Sequence, residues 1–512
     1  MNEALHVTTP DGRLLGERQG GVARFLGIPY AQAPIGPLRL RSPRPPTGWA
    51  GIRDARQPGP ASLQTLGGHQ VWLNAPIADQ SEDCLGLNVW TPDTGGRWPV
   101  LLWLHGGQTR HGHGAGPATD GRELAARGLV VVTINYRLGA LGGLAHPALQ
   151  DPDTGLCANW GLQDKLAALA WVQRCIACFG GDPSRVTLAG QSSGAANAVL
   201  IAQHGLAAGQ YARVIAQSPP LFRPPMFVDL DDAAAYTEGL AQRLGVTVPG
   251  LRAVDGLRLQ QAEHAFAHSP ELRASMGRPR TAPVRDGRLL RAWPFDAPAA
   301  TVPMLAGWTR TESDFWFDLR DGDGHTISPL QAPQTAEALA QRLGGLIDQH
   351  YAFDRRPSAE AVVDAYRASG APARIWRDAY TDLVFRAPIV HLLGRQARAG
   401  QPAWAYAFAH PLAGAAGGAP HACDVPFVFG TWGHAHLARK IGDAPSVAVV
   451  ADAMASAWAM FASQGDPGAA AGVAWPVFTP DAPATLRFGP SRAEVCALKR
   501  PEGLACWAAY AP

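Results

Sequence analysis

Lysine is nearly missing from this chain: only Lys165, Lys440 and Lys499 stand among 44 lysines and arginines in 512 residues. Arginine supplies the rest of the positive charge, and the formal net charge is only +2. That balance gives no excess to attract nucleic acid or an acidic membrane surface. No arginine cluster forms a basic stripe along the sequence either, so the skew reads as a mark of base composition. Disulfide chemistry is also poorly served. The seven cysteines are scattered and odd in number, unlike a disulfide framework. Cys175-Ile-Ala-Cys178 has C-x-x-C spacing. It lies inside an apolar helical pattern with no second pair to complete a zinc site, so it reads as a packed helix face. The start, "MNEALHVTTPDGRLLG", lacks a basic n-region and an apolar h-region. No signal peptide and no apolar run long enough to span a bilayer is expected, and the expected location is cytoplasmic.

Apolar residues make up 47% and charged residues 17% of the sequence, which suits a soluble protein with a large core. Length alone suggests about three domains, yet large α/β folds often run long as one unit. No fixed-period repeat, low-complexity block or Ser/Gly linker divides the chain. The expectation is one domain over 1–512, with a helical insertion around 325–400 where "AEALAQRLGGLIDQHY" and "AEAVVDAYRAS" show helical periodicity. Elsewhere short apolar runs alternate with helical patterns. "RWPVLLWLHGG", "ARGLVVVTINYRLG", "SRVTLAG", "YARVIAQS" and "VPMLAGWT" read as buried strands. "DKLAALAWVQRCIACFG" and "SGAANAVLIAQH" read as helices. This alternation predicts an α/β fold with a mostly parallel sheet flanked by helices.

Between one such strand and helix stands Gly190-Gln191-Ser192-Ser193-Gly194. This is G-x-S-x-G in the strand–turn–helix context that gives the motif its meaning. The register is fixed, because a central Ser193 would need glycine in place of Gln191 and Ala195. A serine on that turn is held at the top of the sheet, with a helix N-terminus favouring negative charge beside it. A second unusual stretch, "HGGQTRHGHGAG" from His105 to Gly116, packs three histidines into glycine-rich sequence after an apolar run. His111 and His113 have H-x-H spacing but no carboxylate close by, so no metal is expected.

With these residues, the chain resembles the type B carboxylesterases, the cholinesterase-like group of α/β-hydrolases. The likeness also rests on "FLGIPYAQAPIGPLRLRSP" at 25–43, "SEDCLGLNVWTP" at 81–92, "NYRLG" at 135–139 and "ANWGLQDKLAALAWV" at 158–172. "FGGDPSRVTLAGQSSGA" at 179–195, "GAPHACDVPFVFG" at 418–430, "WAMFASQGDP" and "WPVF" complete it. The resemblance implies an α/β-hydrolase fold, in which the helical insertion is expected to form a lid or cap, and a serine esterase without cofactor or metal. It implies Ser192 as nucleophile, Glu312 of "VPMLAGWTRTESDFWF" as acid, and His421 as base; Asp314 and Asp318 are nearby alternatives for the acid. Asp424 and Cys423 are expected to be structural. His105-Gly106-Gly107-Gln108 matches the family's oxyanion segment, so the backbone N–H groups of Gly107, Gln108 and Ser193 are the implied donors. His105 is then structural.

The chain departs from the family's pattern in places. Gln191 stands where the family usually has Glu, and Ser193 where it usually has Ala. Ser193 is expected to matter little, since the oxyanion hole would use its backbone. Gln108 replaces a small residue and would crowd the acyl pocket or add an amide donor. Cys84 has no cysteine before it, so the disulfide of the family's secreted members cannot form, which fits a reducing compartment. Among 16 tryptophans, Trp72, Trp160, Trp308, Trp316 and Trp432 lie near motif segments. They read either as an aromatic substrate pocket or as ordinary core. "RDGDGH" at 320–325 has the wrong spacing for an EF-hand loop and reads as a surface turn. The expected partner is a small-molecule ester, with no nucleic acid and no membrane span, on a monomer or weak homo-oligomer. Two other readings stand beside the esterase: a specialised hydrolase of carbamates, amides or bulky xenobiotic esters, and a cholinesterase-like binding protein that has lost catalysis.

Overall fold

Val130–Ile134 is buried at every position, and Trp98–Leu104 at all but its first. A strand buried on both faces belongs in the middle of a parallel sheet covered by helices. Removing each such Val, Leu or Ile side chain from water contributes roughly 1.5–3 kcal/mol. In the computed structural model these two strands pair in parallel at the centre of a 13-stranded sheet. The structure describes all residues except 1–2, 67–70, 76, 78, 222–225, 270–280, 321–324, 351–355, 414–417, 491, 499–500 and 508–512.

The strands are β1 Glu3–Thr9, β2 Gly12–Gln19, β3 Val22–Pro29, β4 Ile52–Asp54, β5 Gly86–Thr91, β6 Trp98–Leu104, β7 Val130–Ile134, β8 Gly181–Gln191, β9 Arg213–Gln217, β10 Met304–Thr309, β11 Ala403–Phe408, β12 Thr485–Phe488 and β13 Ala493–Cys496. Their order is β1-β2-β3-β5-β7-β6-β8-β9-β10-β11-β12-β13, with β4 beside β2. From β7 through β12 all neighbours are parallel. The N-terminal strands β1, β2, β3 and β5 form an antiparallel flank, and β13 closes the other edge antiparallel to β12. Every strand expected from the sequence is present. The flank was not expected, because "EALHVTT" and "GRLLGERQ" mix exposed and buried positions without a clean period.

Helices cover the sheet: α1 Trp160–Cys175 and α2 Ser193–Gln203 as predicted, and later α6 Pro445–Gln464. Between β10 and β11 lie α3 Ala336–His350, α4 Pro372–Thr381 and α5 Ala387–Arg398, with a π-helical turn at Asp382–Arg386 joining the last two. These occupy the stretch that showed helical periodicity. The α6 helix corrects one expectation. Its 20 residues, with mean hydropathy 1.4, are long and apolar enough to cross a membrane by length and composition. Its Met454, Trp458 and Phe461 are nevertheless fully buried, and Trp458 packs edge-on against Tyr406 of β11, so in this fold it serves as a core helix. Cys175 ends α1 and Cys178 lies in the 3-10 turn after it; both are free, as are the chain's other cysteines. The middle of "RDGDGH", 321–324, lies outside the described residues; the flanking Arg320 and Thr326 form an antiparallel bridge.

Candidate active site

The strand β8 ends at Gln191 and α2 begins at Ser193, leaving Ser192 on the sharp turn at φ 54°, ψ −127°. A non-glycine residue is rarely held there, and such strain clusters at functional sites. The flanking glycines make the turn sterically feasible. A Cβ on Gly194 would sit 2.1 Å from the Leu104 carbonyl oxygen, and one on Gly190 2.7 Å from the Gly194 carbonyl carbon. Ser192 N–H donates to the Gln217 carbonyl of β9 at 2.8 Å, fixing the elbow to the neighbouring strand.

Glu312 follows β10, and His421 lies in the loop between β11 and α6. The fold brings them together: His421 Nδ1 is 2.6 Å from Glu312 Oε2. Glu312 is fully buried, so its charge needs donors. Its other oxygen, Oε1, accepts from Ser218 Oγ at 2.6 Å and from the Thr309 N–H at 2.8 Å. The two alternative acids turn elsewhere, Asp314 and Asp318 both pairing with Arg377 at 3.3 and 2.7 Å. The imidazole is walled by aromatic rings, with Phe385 at 4.8 Å, Trp316 at 5.1 Å and Phe315 at 5.9 Å between centroids. Asp424 accepts on Oδ2 from Tyr406 OH at 2.6 Å and Gln217 Nε2 at 2.9 Å, and Gln217 Oε1 accepts from Trp458 Nε1 at 3.0 Å. Burial pushes the Asp424 carboxyl up. This network sits under the histidine loop and supports it.

Gln191 takes a position that the sequence did not disclose. Its carboxamide nitrogen is 3.0 Å from His421 Nε2. The amide nitrogen can only donate, so Nε2 is the acceptor and Nδ1 carries the proton donated to Glu312. That is the tautomer a general base needs. Its carbonyl end lies against the loop that begins at His105, where a Cβ on Gly106 would be 2.4 Å from Gln191 Oε1. Ser193 also takes part through its side chain. Its hydroxyl accepts the Thr109 N–H at 3.2 Å, tying the elbow to the loop after β6.

That loop is held in an unusual shape. Gly107, Gln108 and Thr109 have φ of 111°, 57° and 57°. Thr109 is β-branched, and such a residue needs strong local restraint at positive φ. Thr109 Oγ1 donates to the Thr281 carbonyl at 2.7 Å, the Thr109 carbonyl accepts from Gly139 N–H at 2.9 Å, and the Gly107 carbonyl accepts from Arg110 and His111 N–H at 3.0 and 2.9 Å. Among the described residues, no acceptor in the protein takes the N–H groups of Gly107, Gln108 or Ser193. The start of the loop stands on a stack that the sequence hid among its few lysines. His105 lies on Tyr136, with ring centroids 4.2 Å apart and nearly parallel. Lys165 Nζ sits 3.3 Å from the Tyr136 ring centroid on a buried side chain. Burial pushes His105 down to about 3 and Lys165 down to about 7. His105 is therefore a neutral structural ring, as expected.

Two cavities meet at Ser192. One, of about 860 Å³ open space, is lined by Ala196, Met226, Phe227, Tyr380 and Phe385, among others. The other, of about 790 Å³, is lined by Trp103, His105, His111, His113, Phe315 and His421, among others. Ser192, Gln108 and Trp316 line both. Of the tryptophans singled out in the sequence, only Trp316 faces Ser192. Trp160 donates to the Leu144 carbonyl at 2.8 Å and Trp308 lines a separate cavity. Trp103, which lies within the strand β6, was not anticipated. Among the described residues no group of three or more His, Cys, Asp or Glu side chains is placed to hold a metal.

A serine on a strained strand-to-helix turn, with a histidine and a buried glutamate behind it, on a mostly parallel sheet flanked by helices, defines a serine esterase of the α/β-hydrolase fold. The comparisons agree. The model of the carboxylesterase family matches residues 3–507. A para-nitrobenzyl esterase of Bacillus subtilis is 33% identical, covering 94% of each chain. A phenmedipham hydrolase of Pseudarthrobacter oxydans is 34% identical over 96% of this chain and 97% of its own. A fumonisin B1 esterase of Sphingopyxis macrogoltabida is 35% identical over 90% and 82%. The crystal structure of a Geobacillus stearothermophilus carboxylesterase superposes with a TM-score of 0.81 at 30% identity, covering 98% of this chain and 99% of that one. The chain belongs to the carboxylesterase family, and it is a carboxylic ester hydrolase.

Proposed function

We propose that Ser192, His421 and Glu312 form the catalytic triad, and that the N–H groups of Gly107, Gln108 and Ser193 form the oxyanion hole. The observation that carries this reading is the 2.6 Å pairing of His421 Nδ1 with the buried Glu312, in a cavity that Ser192 also lines. Serine is a weak nucleophile at neutral pH. In the proposed reaction the Gln191 amide gives up His421 Nε2, and Nε2 accepts the Ser192 proton as Oγ attacks the ester carbonyl. The carbonyl oxygen gains charge and is met by the three backbone N–H groups; one such donor typically contributes about 3–4 kcal/mol. Glu312 keeps the imidazole tautomer and stabilises the imidazolium. The imidazolium then protonates the leaving alkoxide, and water hydrolyses the acyl-enzyme by the same base.

Two largely apolar cavities meeting at Ser192 favour a neutral ester with an apolar group on each side of the carbonyl. Among the described residues lining these cavities, the one arginine, Arg110, is engaged with Glu263 at 3.0 Å. The same observation favours bulky esters over short ones, which keeps the specialised-hydrolase reading as the second. The free cysteines support a reducing, cytoplasmic setting. Ser192→Ala tests the assignment. It is expected to abolish hydrolysis of p-nitrophenyl esters while near-ultraviolet circular dichroism stays native. Turnover at the wild-type level would rule the assignment out.

A further inference from the structure

A third cavity, of about 800 Å³ open space, lies where Trp308 of β10, Thr485 and Arg487 of β12 and the end of β13 meet the helical stretch that follows β10. It shares no lining residue with the two cavities at Ser192. Its chemistry is different. Four of its eleven lining residues are arginines, Arg310, Arg374, Arg386 and Arg487, and none is acidic. The rest of the wall is mainly alanine, leucine and tryptophan.

The acids that accompany these arginines stand outside the cavity lining. Arg374 pairs with Asp378 at 3.3 Å, Arg386 with Asp382 at 3.1 Å, and Arg487 with Glu494 across the β12–β13 pair. A guanidinium presents five N–H donors in a planar fork, and one carboxylate engages only part of it. The remaining donors of Arg374 and Arg487 suit a second anion, and among the described residues Arg487 Nε has no partner. A second observation points to a ligand. Thr485, a residue only 2% exposed, lines this cavity, and among the described residues its Oγ1 has no hydrogen-bond partner. Buried hydroxyls are normally satisfied. Arg310 N–H donates to the Phe408 carbonyl at 2.8 Å. Arg310 itself stands two residues before Glu312, so the cavity lies beside the segment that carries the acid.

We propose that this cavity is a second ligand site, separate from the catalytic pocket, for an amphiphilic anion: an apolar body bearing one carboxylate or phosphate group. The Arg374 and Arg487 forks and the Thr485 hydroxyl hold the head group, and the alanine, leucine and tryptophan wall takes the apolar body. The carboxylate source would be a free acid of the kind ester hydrolysis releases; the phosphate source would be a monoalkyl phosphate.

The test is isothermal titration calorimetry of the full chain with octanoate, octyl phosphate, inorganic phosphate and 1-octanol. Octanoate or octyl phosphate is expected to bind about tenfold or more tightly than either single-feature probe, and the tighter of the two identifies the head group. Arg374→Glu, at a partly exposed helix position, is expected to weaken binding at least about tenfold, and Thr485→Val to weaken it severalfold. Gln108→Trp, which crowds the catalytic pocket, is expected to leave it unchanged. Equal binding of 1-octanol or of inorganic phosphate, no binding at all, binding that survives Arg374→Glu, or binding lost in Gln108→Trp would each overturn the proposal.

Discussion

Ser218→Ala removes one hydroxyl and leaves the rest of the acid loop in place. Ser218 already sits at φ 49°, and alanine tolerates that angle about as well as serine, so backbone strain cancels between the two. What is lost is the 2.6 Å bond from Ser218 Oγ to Glu312 Oε1, inside a fully buried carboxylate site. A hydrogen bond to a charged group contributes about 1.5–3 kcal/mol, and a buried charge left short of donors is at the costly end. The Thr309 N–H remains on the same oxygen and His421 on the other, so the carboxylate keeps two partners but is less firmly aimed. Each 1.4 kcal/mol is a factor of about ten in rate. With two of three donors kept, the expected loss is about tenfold in kcat, with KM within about twofold because Ser218 lines neither cavity at Ser192. The assay is steady-state hydrolysis of p-nitrophenyl acetate and butyrate, with thermal unfolding of the same samples. A melting temperature lower by a few degrees is expected alongside. If kcat and melting temperature both match the wild type, Glu312 is not held through Ser218 and the account of the acid loop fails.

Ser193→Ala deletes the acceptor for Thr109 N–H. The bond is only partly buried on the Thr109 side, so a loss of about two- to tenfold in kcat is expected, and unchanged kinetics would show that the hydroxyl is idle. Gln108 lines both cavities, so Gln108→Gly is expected to shift preference toward larger acyl groups; a panel of p-nitrophenyl esters from acetate to octanoate reads it, and an unaltered profile marks Gln108 as passive. Lys165 carries a pH signature. Burial lowers its folded value to about 7, against about 10.4 in an unfolded chain. Between those values the unfolded chain holds a proton that the fold does not, so this residue makes stability rise with pH from about 7 to about 10. Lys165→Met removes that slope; the variant should exceed wild type in melting temperature most at pH 6, with the gain fading by pH 10. A gain independent of pH would show that Lys165 is not buried as a titrating cation.

The sequence told most where one element decides the answer by itself. The unbroken apolar runs of β6 and β7 mark buried parallel strands, and G-x-S-x-G between β8 and α2 marks an elbow. The flank β1–β5 was harder, since its strands are half exposed and their pattern follows pairing partners far along the chain. The acid could not be chosen from local sequence, because Glu312, Asp314 and Asp318 crowd seven residues. Arg377, more than 50 residues later, draws the two aspartates away. The resemblance to a family implied Glu312, and in the structure Glu312 is the carboxylate that pairs with His421. Gln191, Ser193, Ser218 and Lys165 illustrate what stayed hidden. Each acts on a partner between 29 and 230 residues distant, so their roles exist only once the chain is folded.

The most direct test of the central claim is covalent. The wild-type protein is treated with one equivalent of a dialkyl fluorophosphate, digested, and read by mass spectrometry. The account predicts one phosphoryl group per chain, on the peptide containing Ser192, with esterase activity falling in proportion to label. Ser192→Ala should take up none. Label on Ser193 or on another residue, or inactivation without label at Ser192, would contradict the account.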